Sequence, residues 1–178
     1  MKKHLLTAAL ALLAFTAPAQ TAPKSKPSSD AGLSARLQAV EDKLALKELV
    51  DTFSVLADKK DTQAQTLLFT EDATVTSYVN GKQGSALKGR KQIGDTFAGF
   101  LANFSTVYHH NGQQTVTITG DKATGTAYCY VTLIGEENGK KVNNVSGVVY
   151  QDEYVRVNGR WLIAKRTSNF TWQEKRAL

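Results

Sequence analysis

The apolar positions along the chain fall into three patterns. The first is an unbroken run, Leu5 to Phe15, set between Met1-Lys2-Lys3-His4 and Thr16-Ala17-Pro18-Ala19. The second advances in steps of about three to five residues. Leu33, Leu37, Val40, Leu44, Leu49, Phe53 and Leu56 predict one long helix whose apolar stripe reads as core packing. Asp58-Lys59-Lys60-Asp61 breaks it, and the Asp61 carboxylate is placed to cap a short second helix, Thr62 to Phe69. A third helix is expected from Gly89-Arg90, with Ile93, Phe97, Phe100, Leu101 and Phe104 on its buried face.

The third pattern has period two. Ala73 to Val79 alternates and stops at Asn80-Gly81, and Thr115 to Thr119 alternates and turns at Gly120-Asp121. Thr124 to Ile134 forms a long strand before Glu137-Asn138-Gly139. Val145 to Val157 and Trp161 to Phe170 are joined by Asn158-Gly159, a two-residue hairpin signal. Helices first and a meander of long strands afterwards predict an α+β domain with an antiparallel sheet. No proline follows Pro27, so nothing interrupts those strands.

The first run has a basic start, an apolar stretch too short to span a bilayer and a small-x-small ending, the three parts of a cleavable signal peptide over residues 1–19. Residues 20–31, with Pro23, Pro27, Ser28 and Ser29, read as a flexible tether, and residues 32–178 as the folded domain. The expected location is therefore periplasmic or secreted. No cysteine follows the apolar run, so no lipid anchor is expected in the membrane. Composition then matters less than it first suggests. The net charge is +6, but residues 1–31 hold four lysines against Asp30, and the rest carries only +3. That gives no reason to expect nucleic acid as a partner. Cys129 is the only cysteine, excludes an intramolecular disulfide, and reads as a small buried residue. There is no metal-ligand spacing and no phosphate-cradling glycine loop, so neither metal nor cofactor is expected.

Several short motifs, in order, carry a resemblance. They are Ala57-Asp58-Lys59-Lys60-Asp61, Leu68-Phe69-Thr70-Glu71-Asp72-Ala73, Leu87-Lys88-Gly89-Arg90, Tyr108-His109-His110-Asn111-Gly112 and Gly159-Arg160-Trp161-Leu162-Ile163-Ala164-Lys165-Arg166. Together they resemble the SnoaL-like branch of the nuclear-transport-factor-2-like superfamily, with scytalone dehydratase and its bacterial relatives nearest in pattern. The resemblance implies a cone: a strongly curved antiparallel sheet wrapped on three N-terminal helices around a pocket. It also implies a dehydratase or isomerase acting on a small, largely apolar molecule, or a non-catalytic binding or dimerising module of the same fold.

By that resemblance His109 is the general base, Asp58 orients it, and Tyr78 polarises a substrate oxygen. A neutral imidazole suits base catalysis, and a phenol suits an oxygen gaining charge. Asp58 also stands at a helix C-terminus, where the dipole disfavours a negative charge, so either another group holds it or it is a solvated turn. His109 and His110 are adjacent on a strand and must face opposite sides. Tyr130, Tyr150, Gln151 and Asn169 are candidate ligand contacts, with Arg166 beside them. The Tyr128 and Tyr130 face lines either the pocket or the interface of a homodimer. Two family catalytic groups are missing: Ala57 stands where scytalone dehydratase has a tyrosine, and no histidine follows His110.

Overall fold

A computed structural model describes residues 29–178; the expected signal peptide and the tether up to residue 28 lie outside the described residues. The elements run α1 (Ser29–Asp58), α2 (Thr62–Thr66), β1 (Phe69–Val79), β2 (Lys82–Lys88), α3 (Arg90–Leu101), β3 (Phe104–Thr119), β4 (Lys122–Glu137), β5 (Lys140–Val157) and β6 (Arg160–Ala177). This is the α+β layout expected from the periodicity. Some boundaries differ: α2 ends at Thr66, Phe69 already opens β1, and Phe104 opens β3 instead of closing α3. The polar segment Lys82–Lys88 gives no strand signal of its own; it forms β2 because Asn80-Gly81 folds it back on β1.

The strands form one curved, unclosed sheet in the order β2-β1-β6-β5-β4-β3. The expected all-antiparallel sheet is corrected at one place. β1 runs parallel to β6, with Val75 opposite Arg166, while every other neighbouring pair is antiparallel. No hairpin joins β1 to β6, so turn geometry does not dictate their relative direction. Asn80-Gly81, Asn138-Gly139 and Asn158-Gly159 each hold two successive positive φ angles, the geometry of the tight turns that suit twisted hairpins. Register shifts in β3 between Asn111 and Gln114, and against β6 at Gly147/Val148 and Glu153/Tyr154, bend the long strands over the helices.

The side-chain alternation of β4 settles which face is interior. Ala123, Ala127, Cys129, Val131 and Leu133 are buried, whereas Tyr128 and Tyr130 are exposed on the outer face. The helices cover the inner face: α1 crosses β3 and reaches β6, α2 bridges α1 and α3, and α3 packs on β1 and β2. Phe53 on α1 sits at the centre, edge-on to Phe69, Phe97 and Tyr150 with ring centroids 6.0, 6.1 and 6.1 Å away. Such contacts add roughly 0.5–1.5 kcal/mol each beyond area burial.

The long apolar stripe of α1 divides in two. Leu46, Leu49, Val50, Phe53 and Ala57 are buried, but Leu33, Leu37, Val40 and Leu44 are 54–64% exposed and are not core. The sheet reaches only the C-terminal half of the helix. That half begins at Asp42, which accepts from both Arg156 terminal nitrogens at 2.7 Å, from Trp161 Nε1 at 3.1 Å and from Gln38 Nε2 at 3.1 Å.

Candidate active site

Two chain segments 51 residues apart in sequence build the centre of the site. The end of α1 is closed by Lys60 in the left-handed conformation, with Lys60 N–H donating to Ala57 C=O and Asp61 N–H to Leu56 C=O. These bonds satisfy the terminal carbonyls and fix the direction of Asp58. Asp61 then caps α2 through the Ala64 amide, 3.0 Å away, as its position predicts. On β3, His109 stands opposite Val131, an inward residue, so His109 enters the interior and His110 faces out. His109 Nδ1 lies 2.7 Å from Asp58 Oδ1. Asn111 locks the two elements together. Its amide donates to Val50 C=O and to Asp51 Oδ1, and its oxygen accepts from Ser54 Oγ at 3.0 Å.

The His109 side chain is 9% exposed and Asp58 26%. Burial pulls the His109 pKa below its ordinary 6.5; hydrogen bonding and charge from Asp58 oppose this, and the Arg166 charge adds to the fall. The ring is therefore neutral near pH 7. With Asp58 as acceptor, Nδ1 carries the proton and Nε2 keeps its lone pair. A base held in one tautomer by a carboxylate is what proton abstraction needs.

A buried ion pair lies behind this dyad. Arg166 donates from Nε and Nη2 to Asp152 at 2.8 and 2.7 Å, and Tyr154 OH donates to Asp152 Oδ2 at 2.8 Å. The guanidinium is stacked between Phe53 and Tyr150, with ring centroids 4.2 and 4.3 Å from its central carbon. Burial opposes its charge, but Asp152 outweighs that and leaves Arg166 more firmly protonated than usual. Its Nη1 has no partner among the described residues. Gln65 Oε1 and Asn143 Oδ1 are also unpaired there, but both are neutral. A buried cationic N–H without an acceptor is costly unless something else supplies one.

The remaining expected residues divide by sheet face. Tyr150 is inward, over Arg166, and burial raises its pKa above the ordinary phenol value. Tyr78 has the parity of Thr74 and Thr76, opposite to buried Ala73 and Val75, and pairs in register with outward Asn169. It is not brought to the dyad. Tyr130 is outward against Trp172, ring centroids 5.9 Å apart. Gln151 and Asn169 are outward too, 3.4 Å apart, and Gln151 borders a shallow outer concavity of about 350 Å³ with Thr126, Lys165 and Thr167. Cys129 is buried and its thiol is pushed up to about 11 by desolvation, so it is no nucleophile at neutral pH. Among the described residues no three His, Cys, Asp or Glu side chains converge as a metal site. Asp152 escaped the sequence reading. Its signal was an acid at the inward parity of Val148, Tyr150 and Tyr154.

Sequence and structure comparisons agree with this architecture. An uncharacterised protein of Mycobacterium tuberculosis is 24% identical over 136 residues, 76% of this chain and 89% of its own. A nuclear-transport-factor-2-like protein with a cystatin-like fold from Novosphingobium aromaticivorans superposes with a TM-score of 0.63 at 26% identity, covering 79% of this chain and 89% of that one. A candidate scytalone dehydratase from the same organism gives 0.65 at 20%, over 76% and 88%. A hexachlorocyclohexane dehydrochlorinase from Novosphingobium barchaimii gives 0.66 at 18%, over 80% and 94%. The SnoaL-like domain profile matches residues 38–167. That span runs from Gln38 in α1 to Thr167 in β6, and the chain belongs to the SnoaL-like domain family.

Proposed function

We propose that the protein is an acid–base enzyme that abstracts a proton from a small, largely apolar molecule, as a dehydratase or isomerase does. The observation that carries this reading is the part-buried Asp58–His109 contact, 2.7 Å between Oδ1 and Nδ1, on an imidazole whose pKa burial lowers. Tyr78 is withdrawn from the assignment, and the unpartnered Nη1 of Arg166 takes the electrophilic role, receiving an oxyanion or an anionic leaving group. Tyr150, stacked on Arg166, remains a ligand contact; Tyr130, Gln151 and Asn169 do not. The relatives named for dehydratase and dehydrochlorinase activities support the reaction class by analogy alone. A second reading has the cone holding a small molecule without turnover, favoured by the aromatic filling around Phe53 and the outward Tyr78.

Base-promoted ring opening of 5-nitrobenzisoxazole, a small apolar probe that needs only a base, separates the two. The enzyme reading expects a rate that rises with pH and levels off, its midpoint below 6.5, and that falls by roughly 10²–10⁴ in His109→Ala. A rate unchanged in His109→Ala, with fold retained, leaves only the binding reading.

Export to the periplasm or beyond, by the signal peptide of residues 1–19, belongs to the same proposal. So does a homodimer joined through the outer sheet face. There Tyr108, Tyr128, Tyr130 and Trp172 are exposed together, as aromatics at interfaces are. Gly147 leaves room for the Trp172 indole, which lies where a Cβ would otherwise be.

A further inference from the structure

Between Leu33 and Leu44, α1 carries an apolar face that no other described element covers. Every described residue from 30 to 41 is exposed, and the stripe Leu33, Leu37, Val40 and Leu44 is at least half exposed throughout. At about 100° per residue, that stripe points nearly opposite to the face carrying Asp42, Leu46, Leu49 and Phe53, which is buried on the domain. Scattered exposed leucines are ordinary, but four apolar residues on one line are not. Their spacing of four, three and four residues is a heptad seam, with Leu33 and Val40 at d and Leu37 and Leu44 at a. The seam stops where Lys47 and Asp51 take the next d and a positions and pair with each other.

The flanking charges choose the occupant. Arg36 and Lys43 fall at g, and Glu41 and Glu48 at e, all of them exposed. In a parallel, in-register pair, each g residue meets the e residue five positions on in its partner. Arg36 then faces Glu41, and Lys43 faces Glu48, on both sides of the seam. An antiparallel pair would set cation against cation and carboxylate against carboxylate. A membrane surface is likewise disfavoured, because helices that lie on it carry mainly Lys and Arg beside the apolar face.

We infer that α1 residues 33–44 form a parallel, in-register coiled-coil seam with a second copy of this chain. Further along the same line of α1, Asp51 accepts from Asn111 and Asp58 meets His109, both on β3, so the seam ends at Leu44 and the two helices diverge beyond it to leave room for the two domains. α1 lies on the inner side of the sheet, so this contact is separate from any pairing of the outer aromatic face. Light scattering on the full chain is expected to give the mass of two copies.

The test is made on the full chain. Leu44→Cys under mild oxidation is expected to give a disulfide-linked dimer, because in-register parallel pairing sets position 44 against itself; an antiparallel pair would hold the two cysteines about 16 Å apart. Leu37→Glu/Leu44→Glu should raise the dissociation constant by at least ~10²-fold, with the domain melting unchanged. Glu41→Lys/Glu48→Lys should weaken association, and adding Arg36→Glu/Lys43→Glu should restore it. The cross-link formed by Leu44→Cys should survive Trp172→Ala, which disturbs only the outer sheet face. No cross-link, together with a mass indifferent to Leu37→Glu/Leu44→Glu, overturns the inference. So does a stripe that proves necessary only for binding phosphatidylglycerol vesicles.

Discussion

Two aspartate–arginine pairs stitch this fold together, and they are built differently. Asp42–Arg156 lies at the rim. Its carboxylate takes four donors, and its guanidinium also reaches Asp121 and lies 4.3 Å over the Trp161 ring. Asp152–Arg166 lies inside the cone, essentially without solvent, and keeps one guanidinium nitrogen unused. The rim pair is closed on itself and explains itself as an anchor of α1 to the β5–β6 hairpin. The inner pair is incomplete, and it sits beside a histidine held in the basic tautomer. The difference teaches that burial alone does not complete a charged pair: the rim pair has every guanidinium nitrogen matched, whereas the inner one leaves a guanidinium nitrogen unmatched among the described residues.

The sharpest break in the comparison is Arg166→Met. It leaves Asp152 buried with Tyr154 OH as its remaining donor, and removing one partner of a buried pair costs roughly 3–5 kcal/mol. Urea unfolding measures it. Replacing both partners, as Arg166→Met/Asp152→Leu, should recover much of that loss, because no charge is then left unpaired. If the double variant is as unstable as the single one, the pair is stabilised by something other than mutual charge.

How much of this could be read in advance follows from the same two pairs. The helix order and the three Asn-Gly turns rest on local pattern, and they hold. The inward course of Arg166 does not follow from local pattern. Strict alternation from Trp161 and Ile163 puts Lys165 inside and Arg166 outside. The extra residue in β6 between Ile163 and Lys165 reverses that parity. Tyr78 misled for a related reason, since position in a motif gives no strand face. The exposed stripe of α1 misled because periodicity shows a face but not whether the domain reaches it.

At the rim, Asp42→Asn should cost about 2 kcal/mol at pH 7. The Arg156 hydrogen bonds, more than its burial opposes, lower the Asp42 pKa from 3.8 to about 2, and each pKa unit is worth about 1.4 kcal/mol. A depressed carboxylate pKa means that the unfolded chain binds the proton more readily. The stability is thus present above pH 3.8 and is lost as pH falls towards 2. Chemical denaturation at about pH 7, 4 and 2 should show wild type and Asp42→Asn converging at the acid end. His109 adds a separate slope: its pKa is lowered on folding, so its share of stability declines as pH drops below 6.5.

The smallest effect belongs to a third pair, which calibrates the other two. Lys165 and Glu153 are register partners on the outer face, 2.9 Å apart, and both are more than half exposed. Water screens them, and holding two long side chains in one geometry costs entropy, so Glu153→Gln should change stability by less than about 0.5 kcal/mol. Salt sensitivity makes the contrast measurable. Raising ionic strength from about 0.05 M to about 1 M, where the Debye length shrinks to about 3 Å, should erase what little this contact contributes. The same change should leave the Arg166→Met penalty almost intact, because no solvent ion reaches Asp152. A salt-dependent Arg166→Met penalty would mean that water enters the cone beside Arg166, and the inner pair would then have to be treated like the one at the rim.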